Sequence, residues 1–417
     1  MLKPIIGYFL FLVAALWLCE ERDIKLSRNW KPVLFGVLFQ IAIVFAFTNL
    51  PICVSVIEVA ARGVMKLKDA TIEGTKFCFG YIGGGDLPFD LKENGNGFVF
   101  AFQVLPTVIL VSALSAILTY LRILPFLAKI IGYVFKVVFN IKSYMGMVAA
   151  AKIFVGQLEA PLLIKHKLPA LPKSEIFIIL ALAFTTTSAS VMPIYASVLT
   201  PICPDAMKHI IISTVLGVIS VLIISAIAMP SENDGIDGSH LDEIEEGSQY
   251  GSFMGAVSKG LSDGLFVWWS IVGSLIGMIA LIALINYILA TLPDYAGSPI
   301  TLQRIFGFFM YPFAWLMGIA DQDLSAVSQI IGTKMAVNET VAFFDLAKAS
   351  ISSDSVVKTI YAINNFGNFS CIGITVGGLS ALAPGKKSIT ELVGKAFVAG
   401  FLATGLTATM MSVFFAF

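Results

Sequence analysis

Lys152-Ile153-Phe154-Val155-Gly156-Gln157-Leu158-Glu159-Ala160-Pro161 places an ammonium, an amide and a carboxylate inside a segment otherwise fit for hydrocarbon. A charge at the centre of a membrane helix costs ~2.5–3.5 kcal/mol on insertion scales, so it is rarely placed there without a partner. Gly156 and Pro161 frame the polar tip with the two residue types that interrupt a helix most readily. The pattern reads as a hairpin of two short helices meeting partway across a membrane. Non-helical backbone is tolerated at that depth only where it is buried in protein or lines a wet cavity. Such a tip is a binding site.

Other residues offer related chemistry. Asn338 and Glu339 set an amide beside a carboxylate, and Asn364-Asn365-Phe366-Gly367-Asn368-Phe369-Ser370 puts amides and a glycine in the middle of an apolar run. A carboxylate in a dry site accepts hydrogen bonds from ligand hydroxyls or amines, or holds a proton. Lys152 before Glu159 and Lys334 before Glu339 also allow plain charge pairing, with Lys334 reaching Glu339 only loosely. Phe366 presents a ring face to a flat ligand or packs against a neighbouring helix. The run Thr185 to Ser190 lines a cavity or bonds back to its own helix. Asp321-Gln322-Asp323 is expected at the tip of a second hairpin, as an ion-facing turn or a solvated loop. Neither the five cysteines (Cys19, Cys53, Cys78, Cys203, Cys371) nor His166, His209 and His240 have metal-ligand spacing, so no metal or cofactor is expected.

The elements that must hold these groups are membrane spans. The 417 residues are 57% hydrophobic and only 13% charged, with mean hydropathy +0.88; soluble domains average about 25% charged. The net charge is zero without a basic tract, which excludes nucleic acid as a partner. Apolar runs fall near Ile5–Leu18, Val33–Val56, Phe98–Tyr120, Ile176–Leu199, Ile210–Met229, Leu265–Leu289, Val356–Leu382 and Val393–Phe417. The first is followed by Cys19-Glu20-Glu21-Arg22 and reads as a retained span. Tyr144–Leu168 and Leu302–Phe344 are apolar but broken, and both read as re-entrant hairpins. Residues 58–97 and 125–142 mix lysines with apolar residues as interfacial helices do, and 230–251 is an acidic, solvated linker. Gly83-Gly84-Gly85 lacks the Gly-Lys-Ser/Thr of a phosphate loop.

Arg22, Lys25, Arg28 and Lys31 place the first loop in the cytoplasm, which puts both termini outside and makes the two hairpins dip from opposite sides. Each half then runs in the same order: a broken hairpin with a carboxylate, a span interrupted by polar residues, and a plain apolar span. Interrupted segments in corresponding positions mark a midplane substrate site in a secondary transporter. The expected fold is an all-α polytopic membrane protein of about eight transmembrane helices with two re-entrant hairpins in an inverted repeat.

At these residues the sequence resembles the concentrative nucleoside transporter family. The strings are Gly156-Gln157-Leu158-Glu159-Ala160-Pro161-Leu162-Leu163-Ile164, Met317-Gly318-Ile319 with Gln322-Asp323, Thr333-Lys334 with Asn338-Glu339-Thr340-Val341-Ala342, and Phe366 to Ile374 with Gly377-Gly378-Leu379. The resemblance implies a homotrimer in the cytoplasmic (inner) membrane of a bacterium, in which a scaffold carries a mobile transport domain that moves like an elevator. Residues 1–122 and 253–292 would be scaffold, 123–229 and 293–417 the two halves of the transport domain, and 230–252 the cytoplasmic linker. By position, Gln157 and Glu159 would face the base, Val191 and Phe366 would pack on it, and Glu339 and Asn368 would hold the ribose hydroxyls. Lys152, Val155, Thr186 and Thr187 fall in the region of the cation site.

Three departures follow from the same resemblance. Lys152 replaces an Asn of sodium-coupled members, so it either blocks the site, leaving proton coupling or none, or snorkels away and leaves sodium coupling intact. Leu158 replaces a polar residue at the tip, and Cys371 a Ser expected near ribose. The function expected is cation-coupled import of nucleosides, with proton coupling favoured over sodium. The alternatives are transport of nucleobases or another small polar solute on the same fold, and, more remotely, a membrane-embedded enzyme using Glu159 or Glu339 as acid or base.

Overall fold

A computed structural model describes residues 2–19, 26–91, 97–230, 250–294 and 297–414. The described residues are predominantly helical, and no strand is found among them. Helices α1 (Leu2–Leu16), α2 (Leu26–Asn49) and α3 (Pro51–Phe79) are followed by α4 (Phe100–Gln103), α5 (Thr107–Tyr120) and α6 (Ile123–Phe139). The first polar tip joins α7 (Ser143–Ala151) to α8 (Glu159–Leu162), and α9 (Lys173–Thr185), α10 (Met192–Leu199) and α11 (Ala206–Ala228) complete the first half. The second half comprises α12 (Phe253–Leu289), α13 (Leu302–Leu316), α14 (Leu324–Ala336), α15 (Glu339–Lys348), α16 (Ser353–Ile363), α17 (Phe369–Leu382) and α18 (Lys387–Phe414).

Among the described residues, five stretches are long and apolar enough to cross a membrane: Trp30–Asn49, Phe100–Tyr120, Ala206–Ala228, Phe253–Leu289 and Lys387–Phe414. The eight expected spans are therefore not eight continuous helices. Two of them, Ile176–Leu199 and Val356–Leu382, are each a pair of shorter helices separated by a non-helical stretch, at 186–191 and 364–368. The second span also stops earlier than expected. Pro51 has no amide hydrogen to continue α2 and instead opens α3 at its first position. The acidic run 231–249, and Arg22 and Lys25 of the first basic loop, lie outside the described residues.

Burial separates two kinds of helix. α11 and α18 are apolar and mostly buried, forming the centre of the molecule. α12 is as apolar, yet only 6% of its apolar window is buried, and it turns Phe266, Ile276 and Ile288 outward. A helix hydrophobic all round whose side chains face out has lipid or another subunit, not water, as its environment.

The two halves repeat one packing device. α6 crosses α7 where an added methyl on Gly146 would stand 2.3 Å from the Gly132 carbonyl oxygen. α13 crosses α14 where a methyl on Gly332 would stand 2.6 Å from the Gly307 backbone nitrogen. Small residues at such crossings let helix backbones approach closely in a membrane. Each polar turn is thus held against the preceding helix of its own half.

Candidate functional site

The turn that carries the second carboxylate is Val337-Asn338, between α14 and α15, and not Asp321-Gln322-Asp323 as the sequence led us to expect. Asp321 pairs with Lys3 at 2.6 Å, and Asp323 accepts hydrogen bonds from the Ser352 hydroxyl at 2.6 Å and its backbone N–H at 3.1 Å. Both carboxylates fasten local structure. At the true turn, Asn338 is extended and its side chain accepts the Val341 N–H, capping α15. Such a cap is worth about 0.5–2 kcal/mol. It leaves Glu339 as the first helical residue, where the helix dipole favours a negative charge.

Glu339 is 6% exposed and both its oxygens are engaged. Tyr195 donates to Oε1 at 2.9 Å and the Asn368 amide donates to Oε2 at 3.0 Å. Tyr195 is held in place by stacking on Phe343, with ring centroids 4.4 Å apart and planes 13° from parallel. Asn368 also caps α17: its Oδ1 accepts the Cys371 N–H at 3.0 Å and the Ser370 hydroxyl at 2.6 Å. One amide therefore links the start of α17, the unwound segment before it and the start of α15.

Two buried lysines meet the interrupted spans. Lys152 and Lys334 are each only 1% exposed. The Lys152 ammonium donates to the Thr186 carbonyl at 2.9 Å, and the Lys334 ammonium to the Gly367 carbonyl at 2.6 Å. Where a helix ends inside the protein its last carbonyls have no intrahelical partner, and the end carries partial negative charge. Thr186 is the C-cap of α9, so Lys152 meets such an end. Gly367 lies past the end of α16 and next to Asn368, the N-cap of α17, so Lys334 instead satisfies a carbonyl of the non-helical segment 364–368. Lys152 also lies 5.3 Å from the centroid of the Phe366 ring. Lys152 thus turns inward and does not snorkel.

The first tip is more open. Glu159 is exposed, and its Oε2 accepts the Gly156 N–H at 3.0 Å, closing the turn on itself. This differs from the dry carboxylate expected from sequence, because α8 is only one turn long and cannot bury its own N-terminus. Gln157 is half-buried with Oε1 shielded from solvent and unpartnered, and the Thr186 hydroxyl is likewise buried without a partner. Unpartnered buried polar atoms are uncommon in native protein, and these two have bonding capacity to offer a ligand, an ion or water. Leu158 packs against α17, where a methyl on Gly378 would stand 2.4 Å from Cδ1 of Leu158. Val191 is buried at the start of α10 and Val155 is half-buried in the turn.

These groups share one neighbourhood. Lys152 is within electrostatic reach of Glu159 and Cys371, and Cys371 within reach of Glu339, Lys334 and Lys152. Thr187 joins the set through Asn364, to which its hydroxyl donates at 2.7 Å. The sequence did not point to Tyr195. Its one signal was a hydroxyl-bearing ring in an apolar run just after the Thr/Ser stretch. Away from this cluster, an apolar groove of about 950 Å³ runs between α1 and α2, with Trp17 and Trp30 among its lining residues.

Residues 209–412 match the family model described as the C-terminus of Na+ dependent nucleoside transporters, residues 6–82 match its N-terminal counterpart, and residues 101–202 match the nucleoside-recognition Gate model. Among curated proteins, an uncharacterized transporter of Haemophilus influenzae is 29% identical, over 99% of this chain and 97% of its own length. The nucleoside permease NupC of Helicobacter pylori is 28% identical, over 97% of this chain and 95% of its own length. Solute carrier family 28 member 3 of Homo sapiens is 27% identical over 92% of this chain, which spans 56% of that longer protein. The structure of CNTnw in an inward-facing substrate-bound state superposes with a TM-score of 0.87 at 26% identity, covering 100% of this chain and 98% of that one. A variant of CNTnw in an outward-facing state gives 0.86 at 25% identity, with the same coverage of both chains.

Proposed function

The chain belongs to the concentrative nucleoside transporter family, whose members are membrane transporters and not enzymes, and from that premise we propose that it imports nucleosides across the cytoplasmic membrane. The observation that carries this reading is the bond between Glu339 and Asn368. It sets a buried carboxylate and a buried amide 3.0 Å apart on two different elements. A pair of vicinal hydroxyls can replace that one bond with bonds of its own to both side chains, so the site loses no hydrogen bonding when ribose enters. Phe366 and Val191 supply the apolar surface for a flat base, Gln157 and Glu159 face its polar edge, and Cys371 stands beside the ribose partners.

Coupling is to a cation, and for this chain we favour the proton over sodium. The family models carry sodium in their description. The Lys152 side chain on the Thr186 carbonyl stands in the region the resemblance gives to that ion, so its ammonium would take sodium's place. The mobile unit would comprise 123–229 and 293–417, sliding as an elevator against a scaffold of 1–122 and 253–292, with three copies assembled through their scaffolds. Both termini would face outward and the two hairpins would be re-entrant from opposite sides. The Gly146 and Gly332 crossings support the two halves acting as equivalent units.

Uptake of radiolabelled uridine and adenosine into proteoliposomes, with imposed sodium or proton gradients and unlabelled uracil as competitor, tests the reading. Saturable uridine uptake that uracil does not suppress is the expected result. Equal competition by uracil would replace it with nucleobase transport, because only the nucleoside offers ribose hydroxyls to Glu339 and Asn368.

A further inference from the structure

Lys334 lies outside the groups so far assigned to the ligand, yet it is only 1% exposed. Its ammonium is 2.6 Å from the Gly367 carbonyl oxygen, one residue before Asn368. A methyl group on Gly367 would stand 2.9 Å from the Asn365 side-chain oxygen, 3.1 Å from the Lys334 ammonium and 3.2 Å from the Phe184 carbonyl oxygen. The ammonium thus closes on the backbone of the unwound segment 364–368, where Gly367 leaves room for it. Gly367 is the residue that lets it come so close.

We infer that Lys334 is the positioning residue for ribose recognition: by holding the Gly367 carbonyl it fixes the backbone from which Asn368 reaches Glu339. This rests on the nucleoside reading above and goes beyond it, because Lys334 makes no contact with the ligand in this scheme. The geometry supports it from both ends. Lys334 belongs to the last turn of α14, only Met335 to Asn338 separate it from Glu339, and its far end holds the residue adjoining Asn368. The lysine thus spans the same gap, from hairpin to broken span, as the Glu339–Asn368 bond, and sets its width. A lysine serving only to neutralise Glu339 would be directed at the carboxylate. Here the carboxylate takes Tyr195 and Asn368, and the ammonium takes the backbone. Lys152 also bonds a backbone carbonyl, that of Thr186 at the end of α9, which adjoins no ribose ligand. The selectivity role therefore belongs to Lys334 alone.

The test compares uridine with 2′-deoxyuridine and 3′-deoxyuridine in proteoliposomes bearing the unmodified protein, Lys334→Gln or Gly367→Ala. Gly367→Ala keeps the lysine and crowds its bond, the added methyl standing 3.1 Å from the ammonium and 2.9 Å from the Asn365 side-chain oxygen. Losing a charge-assisted hydrogen bond that orders the site should raise the uridine KM by about tenfold. The deoxynucleosides, which make fewer ribose bonds, should shift less than about threefold, so the preference for ribose falls in both variants while kcat holds. A purely structural lysine would move all three substrates together. An unchanged ribose-to-deoxyribose ratio beside saturable uridine uptake by the unmodified protein overturns the role of Lys334 alone. Absence of uridine uptake by the unmodified protein overturns both readings. If Lys334→Gln is not recovered as monodisperse protein, the ratio in Gly367→Ala decides.

Discussion

Thr187 donates its hydroxyl to the Asn364 side-chain oxygen at 2.7 Å, and that bond ties together the non-helical segments of the two interrupted spans. The same Asn364 donates its amide to the Ile210 carbonyl at 3.1 Å and the Thr214 hydroxyl at 3.3 Å, so one side chain joins both breaks to α11. Asn364 is 2% exposed, shielded from bulk solvent. Asn364→Ala strands the Thr187 hydroxyl, and each buried group left unpaired costs about 1–3 kcal/mol. The expected outcome is a clearly lower unfolding temperature in detergent. Thr187→Val, which removes one partner of the same bond, should add little on top of Asn364→Ala. Full additivity of the two substitutions would show that the bond does not couple the halves.

Glu339 has no spare oxygen, which makes its amide analogue a sharp probe. In Glu339→Gln one of the two positions becomes an NH2 group. Placed at Oε2 it would face the donating amide of Asn368, donor against donor; placed at Oε1 it would face the hydroxyl of Tyr195. Removing the charge from such a bond costs about 1.5–3 kcal/mol, so the KM for uridine should rise by ten- to a hundredfold. Concentration-dependent uptake in proteoliposomes reads this directly. A native KM in Glu339→Gln would remove the carboxylate from the ligand's contacts.

Much of this site was visible in the sequence because membranes make polar residues conspicuous. Lys152, Gln157 and Glu159 stand out in an apolar run, and the crowding of Asn364, Asn365, Asn368 and Ser370 foretold the break in the seventh expected span. Two things were hidden. The second turn was placed at Asp321 to Asp323 because carboxylates are the loudest polar signal, whereas Asn338 reveals itself only through its cap on Val341. The partners of Lys152 and Lys334 are backbone carbonyls, which every residue carries, so no side-chain pattern announces them. Glu159 was read as dry for the opposite reason: its neighbours are apolar, but a one-turn helix cannot cover it.

The glycine crossings predict where the fold tolerates no added atom. In Gly146→Val the first branch carbon would fall 2.3 Å from the Gly132 carbonyl oxygen, a backbone atom that cannot swing aside. Overpacking of this kind costs roughly 1–3 kcal/mol and forces α6 and α7 apart. Gly332→Val should do the same to α13 and α14. Gly273→Val in α12 faces open space and is the control. Thermal stability in detergent should fall for the first two and hold for the third; an unshifted Gly146→Val would mean that α6 and α7 do not meet as described.

In the proposed reading, Lys152 decides the coupling ion. A sodium ion 4 Å from its ammonium would be repelled by ~4 kcal/mol at an effective dielectric of about 20, close to a thousandfold in affinity. The ammonium also occupies the carbonyl of Thr186, a residue that the resemblance places in the cation region. Lys152→Asn removes the charge, frees that carbonyl and adds an amide oxygen beside the Thr186 hydroxyl, which is buried without a partner. Uridine uptake by the unmodified protein should therefore be indifferent to sodium and respond to an imposed proton gradient. In Lys152→Asn it should become sodium-stimulated. Lys152→Met, which removes the charge without supplying an oxygen, should show weaker stimulation, so that the order of the three proteins separates relief of repulsion from completion of a site. Sodium-stimulated uptake by the unmodified protein would end this assignment, since no sodium ion could then share the pocket with a charged lysine.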